Sequence, residues 1–84
     1  MKASEIKKLI EAKKFIIQTF GEIYAKGGEA IRDDVFWKKA KEAGIYDGGY
    51  GETVSNALEE LVEVEFVRSS DGDVKYRVFR LKGI

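Results

Sequence analysis

Apolar positions fall at Ile6, Leu9, Ile10, Phe15, Ile16, Ile17, Phe20, Ile23 and Tyr24 in the first third of the chain. Their three-and-four spacing predicts an amphipathic helix from just after Ser4, a suitable N-cap, to about Lys26, where Gly27-Gly28 stops it. From Phe15 onward these positions cover more than the single stripe a surface helix needs. A second covering surface is therefore expected, either the chain's own hairpin or another copy of the chain. Ala30-Ile31-Arg32 reads as a short strand. Asp33 or Asp34 caps a second helix with the stripe Phe36, Trp37, Ala40 and Ala43, a wet face of Lys38, Lys39 and Lys41, and Gly44 at its end. Residues 45–51 are too glycine-rich for regular structure. A third helix is expected from about Glu52 to Val64, with Val54, Ala57 or Leu58, Leu61 and Val64 facing a core.

A β-hairpin follows. Phe66-Val67 begins one strand, Ser70-Asp71-Gly72-Asp73 supplies the turn, and residues 74–81 return. With Asp71-Gly72 as a two-residue loop, Arg68 faces Lys75, Val67 faces Tyr76 and Phe66 faces Arg77. Arg68, Lys75 and Arg77 then share one face with Phe66, Phe79 and Leu81, apolar at the root and basic toward the tip. Like charges across a strand pair cost stability. Arg68 opposite Lys75 thus fits either an anionic partner or a hairpin whose charges prevent edge-to-edge pairing.

Charge sharpens this picture. Fifteen cations balance fifteen carboxylates, yet they are segregated along the chain. Six lysines against three glutamates leave residues 1–26 at +3, four cations against ten carboxylates leave residues 27–65 at −6, and five against two leave residues 66–84 at +3. Cysteine and histidine are both absent, which removes disulfides, thiolate zinc sites and the commonest general base. At 84 residues the chain forms one domain, 1–84, with room for a core and little for a deep catalytic cleft. Asp33-Asp34 is explained by capping, Glu59-Glu60 by solvent and Asp71-Gly72-Asp73 by the turn, so no catalytic, metal or cofactor site is expected. No apolar run approaches the roughly 20 residues of a membrane span, which with the charged start predicts a cytoplasmic protein. High charge with few side-chain amides matches proteins of hot habitats, such as a thermophilic archaeon or its virus, in which case the host cytoplasm is the expected location.

Thr53-Val54-Ser55, Leu58 and Leu61, followed by a hairpin, resemble the recognition helix and wing of the winged helix-turn-helix DNA-binding superfamily, whose helix often reads T-V-S-x-x-L-x-x-L. The order helix, short strand, helix, helix, strand, strand extends the resemblance over nearly the whole chain. It implies an α+β fold of three helices with a small antiparallel sheet and a β-hairpin wing. One departure is Glu65, where the family usually carries glycine between helix and wing. Without it the helix must end earlier or pass into the strand by another route.

The resemblance implies sequence-specific binding of double-stranded DNA, as a small dimeric transcription regulator of an archaeon or archaeal virus. Helix 3 would read base edges with Thr53, Ser55 and Asn56. The wing would hold phosphates with Arg68, Lys75 and Arg77. Tyr50, in the glycine-rich turn before helix 3, would touch the backbone; that turn could also present N–H groups to a phosphate, although it lacks nucleotide-site spacings. Surplus apolar surface at Ile6, Leu9 and Ile10 suggests a homodimer through helix 1, with half-sites about 34 Å apart. Against this stand Glu52, Glu59, Glu60 and Glu63, unwelcome beside phosphates. They favour the alternative of a protein-interaction winged-helix module that docks through the acidic face of helix 3.

Overall fold

A computed structural model describes residues 2–46 and 50–83, leaving aside the side chain of Tyr50. The chain runs α1 (Ala3–Ala25), β1 (Ile31–Arg32), α2 (Asp33–Glu42), α3 (Tyr50–Leu61), β2 (Val62–Arg68) and β3 (Val74–Leu81). The described residues form an α+β structure of three helices and a three-stranded antiparallel sheet in the order β1-β3-β2. Among these residues no helix is long and apolar enough to cross a membrane.

Helix α1 begins a residue before the expected Ser4 cap. Glu5 accepts the Lys2 backbone N–H at 3.3 Å, satisfying an otherwise orphaned donor at the helix start. At the other end Gly27, with φ 84°, lets the chain leave the helix in left-handed backbone. In α2 the cap is Arg32 and both aspartates lie inside the first turn. Their carboxylates accept the N–H groups of Asp34 and Val35 at 2.8 and 3.0 Å, so they still serve the helix start, from one position further in.

One cluster of buried side chains joins all six elements. Ala12, Ile16 and Phe20 come from α1, Ile31 from β1, Phe36 from α2, Val54, Ala57 and Leu58 from α3, Val62 from β2 and Phe79 from β3. Phe36 sits at its centre, edge-on to Phe15, Trp37 and Phe79 with ring centroids 5.4 to 5.5 Å away. Such edge-to-face contacts add to the area the rings bury.

The third helix departs from expectation at its end. It stops at Leu61, and the chain continues without a loop into β2 at Val62. Val64 and Glu63 therefore belong to the strand. Among the described residues no non-glycine residue takes positive φ, so the missing glycine is accommodated by ending the helix early. The alternation Val62, Val64, Phe66 against Glu63, Glu65 becomes strand alternation.

The hairpin register is as expected at its root, with Val67 opposite Tyr76 and Phe66 opposite Arg77. At the tip it differs. Gly72 takes φ 91° and donates to the Ser69 carbonyl, while Ser69 donates to the Asp73 carbonyl at 2.7 Å. The loop is thus three residues, Ser70 to Gly72. Arg68 faces Val74, and a bulge beside Val67 and Arg68 leaves Lys75 without a direct partner. The expected Arg68–Lys75 confrontation is not present, and the inference drawn from it lapses.

Candidate nucleic-acid interface

Helix α3 turns Val54, Ala57 and Leu58 into the core and leaves Glu52, Ser55, Asn56 and Glu59 exposed. Ser55 and Asn56 therefore face solvent at the middle of the helix. Thr53 is half-buried. With Asn56 it lines a groove of about 470 Å³ between α1 and α3, completed by Glu5, Lys8, Leu9, Glu52 and Glu60. Lys13 on α1 spans this region to Glu60 at 2.9 Å. Helix α3 exposes three carboxylates, Glu52, Glu59 and Glu60, around the two neutral hydrogen-bonding side chains.

The sheet bears all four arginines, and each has a partner within the chain. Arg77 reaches Asp33 at the start of α2 with both Nε and Nη2, 2.9 Å from one carboxylate oxygen. Arg80 lies between Glu65 at 3.0 Å and Glu29 at 3.4 Å; those carboxylates hold its pKa above the ordinary arginine value, the hydrogen bond it donates to Glu65 first. Arg32 pairs with Asp34 at 3.1 Å and stacks its guanidinium 4.4 Å from the Tyr76 ring centroid. Arg68 donates to the Gly72 carbonyl at 3.0 Å and so braces the wing turn. In the same turn the Ser69 hydroxyl donates to Asp71, holding that carboxyl below its usual range.

Lysines supply the more open positive charge. Lys75 on the wing and Lys38 and Lys39 on α2 are exposed. Lys41 lies 4.9 Å from the Tyr46 ring centroid, and Lys82 donates to the Glu59 carbonyl at 2.9 Å. The three proposed wing cations thus differ: Lys75 is open, Arg68 braces the turn, and Arg77 is held by an aspartate. The carboxylate partners Asp33, Glu29 and Glu65 were not foreseen as partners, since 44, 51 and 15 residues separate each pair.

Strand β2 forms one edge of the sheet. Its Val64 and Phe66 are about half exposed, alternating with exposed Glu63 and Glu65. Two copies of this edge paired antiparallel about Val64 would set Glu63 against Glu65, which discourages edge-to-edge association.

Of the glycine-rich turn, Asp47, Gly48 and Gly49 lie outside the described residues, as does the side chain of Tyr50, so the phosphate cradle and the tyrosine contact expected there have no structural counterpart to report. Comparison with protein-family models, with curated proteins and with solved structures finds no match for this chain.

Proposed function

We propose that the chain is a winged helix-turn-helix module that binds double-stranded DNA and acts in transcription regulation. The observation that carries this reading is the exposure of Ser55 and Asn56 at the middle of α3. This helix directly follows α2 and its turn, and a basic hairpin follows it. The element order and the β1-β3-β2 sheet are compatible with the winged-helix layout. Ser55 and Asn56 would enter the major groove, where an asparagine can bond an adenine edge at two points. Lys38, Lys39 and Lys75, with Arg68 at the wing tip, would meet phosphates on either side. Entry of α3 by its N-terminal end would keep Glu59 and Glu60 further from the backbone than Glu52, which lies in the first turn.

A second reading is favoured by those same glutamates and by the carboxylates that hold Arg77 and Arg80. It makes the outward face of α3 a docking surface for a basic protein. Titration of duplex DNA at several salt concentrations separates the two. Phosphate binding releases counterions and gives a steep log-log decline. Failure to bind any duplex at low salt, together with capture of a lysine-rich peptide that Glu59→Gln weakens, would establish the second reading.

A further inference from the structure

Ile31, Phe79 and Val64 stand side by side across the sheet, in one row on its core-facing side. Ile31 and Phe79 are 7 and 6 % exposed, whereas Val64 at the end of the row is 46 % exposed. Phe66, two residues along on the same face of β2, is 52 % exposed. The apolar layer of the sheet therefore runs out to the β2 edge and is left open there. The Lys82 N–H donates to the Leu61 carbonyl at 2.9 Å, one step before the pair Val62–Leu81. Counted on along an antiparallel ladder, Glu63, Glu65 and Val67 exchange hydrogen bonds with β3, while the N–H and C=O groups of Val64 and Phe66 point outward. The pairing holds its register from Val62 to Val67, so this edge is regular. On the other side of the sheet it carries Glu63 and Glu65, both exposed. Arg80 reaches Glu65 and Glu29, Lys82 turns to the Glu59 carbonyl, and among the described residues no cation pairs with Glu63.

We propose that β2 receives an extended segment of another protein as a fourth, antiparallel strand, one in which apolar and basic residues alternate. Its apolar side chains lie opposite Val64 and Phe66 and complete the row that Ile31 and Phe79 begin. Its lysines or arginines lie opposite Glu63 and Glu65. Main-chain hydrogen bonds give an added strand its affinity, and the alternating side chains give its specificity. The carboxylates also decide against a second copy, because an antiparallel β2 brings the same two glutamates to the same side of the sheet. The chain's own alternation of basic and apolar residues, β3, already holds the middle of the sheet. A contact of this size is smaller than a standard interface, so it is transient and of micromolar affinity. It involves no residue of α3 and is independent of what that helix binds.

Fluorescence anisotropy with the full chain tests this, using a labelled peptide as long as β2 that alternates valine and lysine. A shuffled peptide of the same composition, its lysines contiguous, is the control, and hydrogen exchange read by NMR locates the contact. The alternating peptide should bind with micromolar affinity, about tenfold tighter than the shuffled one, and should slow exchange of the Val64 and Phe66 amides. Glu63→Lys, an exposed change, should weaken that peptide about tenfold and make the protein prefer one alternating valine and glutamate. Val64→Pro removes an outward N–H and no ladder bond to β3, so it should abolish peptide binding while the hairpin persists. Absence of binding at high micromolar concentration overturns the inference. So does equal binding of the shuffled peptide, or a Glu63→Lys protein that binds the alternating peptide as wild type does. Protection confined to α3, with a loss on Glu59→Gln, would move the peptide to that helix and overturn β2 as its site. Concentration-dependent protection of Val64 and Phe66 without peptide would give the edge to a second copy and overturn the basic segment as its occupant.

Discussion

The guanidinium of Arg77 on β3 closes on the carboxylate of Asp33 at the first residue of α2, with two nitrogens 2.9 Å from one oxygen. This contact ties the wing to the start of α2. It also withholds from any outside anion a cation that sequence alone assigns to phosphate binding. An exposed pair of this kind contributes about 1 kcal/mol or less to stability, so a phosphate can displace the aspartate.

Replacing Asp33 with asparagine should therefore free Arg77 while keeping an acceptor for the helix start. Duplex affinity should rise several-fold and its salt slope should steepen by about one. Fluorescence anisotropy at several salt concentrations, paired with a thermal melt, measures both effects. An unchanged affinity would mean that Arg77 stays clear of DNA even when released.

Lys75→Ala should weaken binding to all duplexes alike and flatten the salt slope by about one, because an exposed lysine acts on phosphate and not on base identity. Arg77→Ala in the wild-type background should have the smaller effect on DNA and the larger one on melting temperature. The reverse ranking would show Arg77, and not Lys75, to be the wing's grip.

Asn56→Ala removes the one exposed amide side chain on α3. It should cost about 1–3 kcal/mol on a preferred site and little on scrambled duplex. Sites selected from random DNA by the wild-type protein provide the comparison. An unchanged ratio between specific and scrambled duplex would remove α3 as the reading element.

Phe36→Ala should destabilise the fold by about 3–5 kcal/mol, since Phe36 is fully buried and touches three other aromatic rings. Urea unfolding followed through Trp37, the single tryptophan, reports it. A loss near 1 kcal/mol would show that the surrounding rings collapse into the gap.

Element order and core were legible in the sequence because each helix carries its own apolar stripe and the Asp-Gly pair marks the hairpin. The end of α3 was not. Leu58, Leu61 and Val64 continue a helical spacing, while Val62, Val64 and Phe66 equally satisfy strand alternation. Burial of Val62 in the common core, with its backbone paired to Leu81 of β3, decides between them, and that is a tertiary contact. The wing tip was misjudged by one residue because Gly72 closes a three-residue loop, and the bulge that restores register takes Lys75 out of the pairing. Exposure of Ser55 and Asn56 followed from periodicity alone. The partners of Arg77 and Arg80 did not, because pairing across 44 or 51 residues leaves no local pattern.

Glu59→Gln bears on how α3 meets DNA. It should strengthen binding to scrambled duplex by removing a repelled carboxylate, with no gain in discrimination. Equal binding by wild type and variant would place Glu59 well outside the contact.

The most direct measurement is the affinity of the wild-type chain for a duplex of about 20 base pairs, followed from roughly 50 to 200 mM salt. Phosphate contacts from Lys38, Lys39, Lys75 and Arg68 should give a log-log slope of about −3.6 for each bound chain. No binding at the lowest salt, or an affinity that salt leaves unchanged, would contradict DNA as the ligand.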